Sequence, residues 1–147
     1  MRPARKEAGY SGTPLPKKLG IKPGMMVALV NAPVAFDLGV LPEGARVRRG
    51  ARGRADLVVW FVGSRPELEW EVHRIVAFAA DAPLWIAWRK KTASRASALS
   101  SGASENAVRE AGLASGLVDT KVCAIDREWS GLRFNQRRGG EAARRST

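Results

Sequence analysis

The chain is 147 residues long, about the length of one domain, and 45% of its residues are hydrophobic, including five tryptophans. This composition excludes a wholly disordered chain, and no apolar run approaches the ~18 residues that a membrane span requires. The 25 Lys and Arg residues against 14 Asp and Glu residues give a net charge of +11, which favours polyanionic partners or serves solubility alone.

The two ends of the chain differ in composition from its middle. Residues 1–12 are rich in Gly, Pro and charge and are predicted to form a flexible arm, and residues 137–147 a basic, disordered tail. We predict that residues 13–136 fold as one domain. The basic start lacks the apolar stretch of a secretion signal, so we expect a cytosolic protein. The lone Cys123 excludes an intramolecular disulfide and is interpreted as a buried structural thiol rather than a reactive nucleophile.

The first part of the domain predicts two short helices and an interior strand. Thr13 is predicted to cap a helix that begins at Pro14 and ends before Gly20. The fully apolar run 25–30 is typical of a buried strand. A second short helix is predicted over 33–38.

An alternating stretch follows at 45–49, where apolar and charged residues take turns as they do on an edge strand. Only residues 50–54 separate it from the next strand, whereas a parallel crossover normally needs a dozen or more residues. The short connection predicts antiparallel pairing of these two strands, or a stretched loop that crosses the edge of the sheet.

The central pattern is Asp56 followed by the apolar run 57–62, which predicts a strand buried on both faces, as in parallel sheets. Ser64 and Glu67 then have the spacing of a capping box, and a helix is predicted over 66–80 with its apolar residues on one face. Strand, tight turn and helix in this order indicate an α/β fold.

The rest of the domain continues the same alternation. The predicted elements are a buried strand at 84–88, a mobile loop at 92–103, a helix at 105–111 capped by Ser104 and closed by Gly112, and a strand at 117–125 that turns back into Leu132–Phe134. The last two strands form an antiparallel hairpin. We therefore predict an α/β, three-layer Rossmann-like fold with a mostly parallel sheet and a C-terminal antiparallel hairpin.

This order of elements resembles a shortened Rossmann-like domain of S-adenosylmethionine-dependent methyltransferases. The similarity covers about residues 24–136 and includes the stretch 55–59, Ala-Asp-Leu-Val-Val, which in those enzymes opens the fourth strand. Such enzymes carry a Gly-rich turn after the first strand, where this chain has 31–33, Asn-Ala-Pro. They also end the second strand on an acidic residue that holds the ribose, where this chain has 47–49, Val-Arg-Arg. We therefore assign no cofactor from the sequence.

The chain is also similar to a family of bacterial proteins of unknown function. The similarity rests on two stretches, AGYSGTPL with KKLGIKPG between residues 8 and 24, and GLVD with KV and WSGL between residues 116 and 132. This resemblance implies no activity.

The carboxyl ends of the predicted interior strands carry hydrogen-bonding and cationic residues. Ligands of open α/β sheets bind at this edge, and a helix N-terminus with cations suits an anion such as phosphate or carboxylate. The candidate anion-binding residues are Asn31, Ser64, Arg65, Arg89, Lys90 and Lys91. The alternative is that these are loops whose charges face water.

A second candidate site is the dense run of arginines around the predicted edge strand. We predict nucleic-acid binding by Arg46, Arg48, Arg49, Arg52 and Arg54, with Trp129 stacking on a base. The alternatives are a solvated basic edge that discourages aggregation, and a Trp129 that packs back on the sheet as an anchor.

No catalytic residues and no metal ligands are assigned, because the sequence has no Ser-His-Asp order, metal cluster or phosphate-loop pattern. The leading hypothesis is a non-enzymatic domain that engages a polyanion, such as nucleic acid or an acidic protein partner, through its basic surface. The alternative is a degenerate methyltransferase-like or small-anion-binding enzyme, and a scaffolding role is a third possibility. No membrane association is expected.

Overall fold

The computed structural model describes residues 13–90 and 103–136. The predicted arm, Lys91, all but one residue of the predicted loop 92–103, and the predicted tail lie outside the described residues. The elements are α1 Leu15–Leu19, β1 Met26–Val30, β2 Arg46–Arg49, β3 Leu57–Phe61, α2 Arg65–Ala79, β4 Leu84–Arg89, α3 Glu105–Ala114, β5 Leu117–Ala124 and β6 Trp129–Gln136.

The six strands form one sheet in the order β2-β1-β3-β4-β6-β5. The four strands β2, β1, β3 and β4 run parallel, and β6 runs antiparallel to both β4 and β5. This confirms the predicted Rossmann-like α/β fold, with its mostly parallel sheet and closing hairpin. No helix among the described residues is both long and apolar enough to cross a membrane.

Each face of the sheet carries its own apolar core. One face is covered by α2 and α3, with Trp60 and Phe134 among the fully buried side chains. The other is covered by α1 and by the irregular segment 32–41, above Phe61 and Trp85. Because successive side chains of a strand point to opposite faces, the continuous apolar runs of β1, β3 and β4 supply both cores.

β2 pairs with β1 in parallel and has no pairing with β3. The predicted antiparallel pairing of β2 and β3 is therefore wrong, and the alternative of a stretched loop is the correct one. Residues 50–56 lead from the end of β2 to the start of β3. Since β2 has only four residues, this loop covers ~13 Å back along the strand and ~10 Å across two strand spacings, within reach of an extended chain.

One predicted helix and two predicted helix boundaries differ from the structure. The predicted helix over 33–38 is absent: residues 32–41 are irregular, and Phe36 and Leu38 enter the core instead. α1 has Pro14 as its N-cap rather than Thr13. Gly112 does not close α3 but lies inside it, because a glycine there lets the helix approach Phe134 of β6.

Ala80, at the end of α2, has a backbone conformation that favours glycine. Its φ of 53° and ψ of −118° place it at the second position of a type II′ turn, closed by the 2.8 Å bond from Ala82 N to Ala79 O. We expect Ala80→Gly to raise the free energy of unfolding by about 1 kcal/mol, because the relief of strain exceeds the added entropy of the unfolded chain.

Urea unfolding of the purified protein measures this effect. The control is Ala77→Gly on the exposed side of the same helix, which we expect to destabilise the domain by about 1 kcal/mol. The same change from alanine to glycine should then raise the free energy of unfolding at Ala80 and lower it at Ala77. A loss of stability in both variants would contradict a strained turn at Ala80.

Candidate functional site

The switch point of the sheet lies outside the carboxyl ends of β1 and β3, because the chain proceeds from β1 to β2 on one side and reaches β3 on the other. Open α/β sheets have their ligand crevice at this place. Asn31 follows β1 with a φ of 60°, which asparagine tolerates better than most residues. Gly63 and Ser64 follow β3 and lead into α2. The two strand ends meet at a single side chain, that of Glu67.

Glu67 is a half-buried carboxylate in the first turn of α2. Its Oε2 accepts a hydrogen bond of 2.9 Å from Asn31 Nδ2, and its Oε1 accepts one of 3.1 Å from the backbone N–H of Gly63. Ser64 Oγ in turn accepts the Glu67 N–H at 3.2 Å. Each carboxylate oxygen retains a free lone pair, so the crevice presents a fixed acceptor to a donor group of a ligand.

The N-terminus of α2 offers few donors to an anion. Pro66 has no N–H, the N–H of Glu67 is already bonded to Ser64, and the Glu67 carboxylate places a negative charge at the same point. The Arg65 side chain turns to Glu69, with an N–O distance of 3.1 Å. Asn31 and Ser64 are thus brought together as predicted partners of one site, but around a carboxylate rather than an open anion pocket.

The end of β4 carries Arg89 and Lys90. The Arg89 guanidinium lies 5.3 Å from the centroid of the Trp129 ring and 3.8 Å from the Glu128 carboxylate. Lys90 donates its backbone N–H to Glu128 O, and its ammonium group has no carboxylate within 4.0 Å among the described residues. Of the cations in this group that the structure describes, Lys90 is the one without an ion pair. Lys91 lies outside the described residues.

Trp129 is a buried anchor of the sheet. Its side chain is only 6% exposed and meets the Phe61 ring edge-on, with 5.0 Å between centroids. The proposal that Trp129 stacks on a base is wrong for this structure, because Arg89 and Phe61 already cover the ring. The alternative, an anchor packed over the sheet, is the observed one.

Arg49, at the end of β2, closes the loop that follows β1. Its guanidinium donates to the carbonyl oxygens of Ala32, Pro33 and Phe36 at 3.5, 3.2 and 2.9 Å. The loop after β1 is thus held down by a cation at the strand end where a methyltransferase has its acidic residue. The sequence shows the missing acid but gives no sign of this bracing role.

The five predicted arginines lie around β2, with different surroundings. Arg46, Arg52 and Arg54 are exposed, whereas Arg48 is partly buried and donates to Arg54 O at 2.6 Å. None of the five has a carboxylate within 4.0 Å in the described part of the chain. Arg46, Arg48 and Arg49 belong to the edge strand β2, and Arg52 and Arg54 to the loop that follows it, so this part of the chain carries an excess of positive charge.

A groove of about 560 Å³ opens at the opposite, amino-terminal edge of the strands, between Arg54 and the turn after α2. Asp56 borders it, but its carboxylate accepts the Met26 N–H at 2.8 Å and so fixes the start of β1. This aspartate of the predicted central pattern therefore has a structural role.

The described residues that could bind a metal ion or act as a thiol nucleophile form no site. Residues 13–90 and 103–136 contain no group of three His, Cys, Asp or Glu residues that could hold a metal ion. Cys123 is half-buried, and burial raises the pKa of its thiol, although Lys18 and Lys121 partly oppose that shift. A raised thiol pKa favours the interpretation as a structural cysteine.

Comparisons with known proteins add information at the level of the fold. No family model matches the sequence, and no curated protein matches it either. The resemblance to a bacterial family of unknown function therefore stays a prediction.

Solved structures of S-adenosylmethionine-dependent methyltransferases share the fold. One from Aquifex aeolicus is 14% identical with a TM-score of 0.55, and the match covers 90% of this chain and 93% of that one. Magnesium protoporphyrin IX methyltransferase from Synechocystis, with S-adenosylhomocysteine bound, is 12% identical with a TM-score of 0.53, over 78% and 75% of the two chains. The chain thus has a methyltransferase-like fold.

Proposed function

We propose that this protein is a degenerate methyltransferase-like domain that binds a small ligand in the crevice between β1 and β3. The observation that carries the proposal is the Glu67 carboxylate, held at the switch point by Asn31 and Gly63. A ligand with an ammonium group would complete the free acceptor positions of Glu67, and Lys90 at the next strand end would attract its carboxylate. The methionine end of S-adenosylmethionine has both groups.

The ribose end of that cofactor does not fit the residues present. Methyltransferases hold the ribose hydroxyls on an acidic residue at the end of the second strand, and here Arg49 takes that position and is committed to three carbonyl oxygens. The loop after β1 is also Asn-Ala-Pro rather than Gly-rich, so the backbone cannot approach a ligand as closely. The proposal is therefore one of binding through the amino-acid end, and it assigns no reaction.

A thermal-shift and calorimetric titration with S-adenosylmethionine, S-adenosylhomocysteine and L-methionine tests this proposal. We expect the three compounds to bind the intact protein, with Glu67→Gln weakening each by about tenfold or more, since a charged hydrogen bond is worth roughly 1.5–3 kcal/mol. The matched control is Glu69→Gln, a carboxylate two residues on that faces solvent with Arg65. Equal binding by Glu67→Gln and the unmodified protein would contradict the proposal, as would no binding at all.

A second candidate function has a separate observation in its favour. Five arginines around β2 have no carboxylate within 4.0 Å in the described chain, and a local excess of this kind attracts polyanions with a strong dependence on salt. We therefore also propose that the β2 edge binds an acidic macromolecule, either nucleic acid or an acidic protein.

A further inference from the structure

β2 is one edge of the sheet, and half of its backbone hydrogen-bonding groups point away from the sheet. The N–H groups of Arg46 and Gly50 donate to Met25 O and Leu29 O, each at 2.8 Å. In a parallel ladder alternate residues bond to the same neighbour, so Val47 and Arg49 direct their N–H and C=O groups to the open side. No described strand pairs with that side.

The two loops next to β2 cover its faces and leave its edge open. Arg49 holds the loop 32–36, which belongs to the core beneath α1. Arg48 holds Arg54 on the opposite face, where Ala51 and Ala55 of the loop pack against the core beneath α2. The side chain of Val47 remains 38% exposed. β2 is therefore braced from both faces in an extended conformation, and no described strand covers its outer rim.

The opposite edge of the sheet, β5, is less suited to accept another strand. Its register with β6 shifts between Asp119 and Lys121, and such an irregularity interrupts the row of outward-facing backbone groups. β2 has no register shift, since its pairing with β1 runs without interruption from Met26 and Arg46 to Leu29 and Arg49. Of the two edges, β5 therefore has an irregular backbone that hinders the pairing of a further strand, and β2 does not.

We infer that β2 accepts an extended acidic segment of a partner protein as an additional strand. This inference rests on the second proposed function and specifies its partner. The arginines supply the charge complementarity, and the outward N–H and C=O groups supply the hydrogen bonds of strand addition. A peptide backbone offers both donors and acceptors along its length, whereas the phosphate backbone of a nucleic acid offers acceptors only and the N–H donors lie on the bases, so a protein segment fits this rim better than nucleic acid.

Fluorescence anisotropy with the full chain tests the inference. The probe is a labelled peptide of alternating Glu and Val, and its matched control is a peptide of alternating Glu and Pro, which has the same charge but cannot pair as a strand. We expect the Glu-Val peptide to bind at least about tenfold more tightly, and high salt to weaken both.

Substitutions at Val47 distinguish the contribution of its backbone N–H to peptide binding from that of its side chain. Val47→Pro removes an N–H that β1 does not use, and we expect it to reduce binding of the Glu-Val peptide by about tenfold, while Val47→Ala retains binding. Amide hydrogen exchange of the unmodified protein gives a test that needs no variant: the N–H groups of Val47 and Arg49 should become protected when the peptide binds.

Three other outcomes would contradict strand addition, the second proposed function or both. Equal binding of the Glu-Val and Glu-Pro peptides, with no protection of Val47 and Arg49, overturns strand addition and leaves polyanion binding standing. Tighter binding of a single-stranded RNA that displaces the Glu-Val peptide makes nucleic acid the partner and overturns the inference. No salt-sensitive binding of the peptides or the RNA overturns strand addition and the second proposed function together.

Discussion

Replacing Gly112 by alanine is expected to destabilise the domain by about 2 kcal/mol, although alanine is the better helix former. A Cβ atom at this position of α3 would overlap the ring of Phe134, which is fully buried between the helix and the sheet. Overpacking of this kind costs typically ~1–3 kcal/mol or more, and the helix propensity of alanine returns only about 1 kcal/mol. Urea unfolding followed by circular dichroism measures the difference.

A second substitution tests whether the Phe134 ring is the cause. In the double variant Gly112→Ala with Phe134→Leu, the shorter side chain leaves room for the new methyl group. The double variant should therefore lose less stability than the two single variants lose together. Glu110→Ala, on the exposed side of the same helix, should change the free energy of unfolding by no more than about 0.5 kcal/mol. A gain of stability in Gly112→Ala alone would show that α3 does not approach β6 so closely.

Trp85→Phe is expected to lower the free energy of unfolding by about 3 kcal/mol. Trp85 is fully buried in β4, and its indole Nε1 donates a 3.0 Å hydrogen bond to Leu19 O, at the end of α1. The phenylalanine ring leaves a cavity and an unpaired buried carbonyl, and an orphaned group of this kind costs ~1–3 kcal/mol by itself. The bond therefore fastens α1 to the sheet across 66 residues of sequence.

Trp60→Phe is the matched control for this prediction. Trp60 is equally buried in the neighbouring strand, but its indole N–H has no partner, so its replacement removes a buried unpaired donor as well as ring volume. We expect Trp60→Phe to lose about 1–3 kcal/mol less stability than Trp85→Phe. Trypsin should also cut after Lys17 or Lys18 sooner in Trp85→Phe than in Trp60→Phe. Equal losses and equal rates of cleavage would contradict the fastening role of Trp85.

Much of the fold follows from local patterns in the sequence. The apolar runs at 25–30, 57–62 and 84–88 become β1, β3 and β4, because a strand with both faces covered needs apolar side chains at every position. The caps at Ser64 and Ser104 also begin their helices as predicted, since each hydroxyl accepts a backbone N–H three residues later. These features depend only on neighbours in the chain.

The features that the sequence does not reveal depend on contacts between distant residues. Gly112 has the sequence signature of a helix end, and only the position of Phe134 explains a glycine within α3. The direction of β2 depends on a loop that runs back over β1, which the usual length of crossovers argues against. The sequence assigns Glu67 to a helix cap alone, yet the capping position also lets its carboxylate reach Asn31.

Arg48 and Arg49 couple the folding of three segments, namely β2, the loop 32–36 and the loop 50–56. β2 buries no apolar side chain deeply, so it is held by its ladder with β1 and by these two arginines, each of which bonds to the loop on one face. If β2 leaves the sheet, both loops lose their bracing, and if either loop unfolds, β2 loses an arginine contact. This edge should therefore open as one cooperative unit, before the sheet beneath α2 and α3, and a strand bound to β2 would stabilise both loops against that opening.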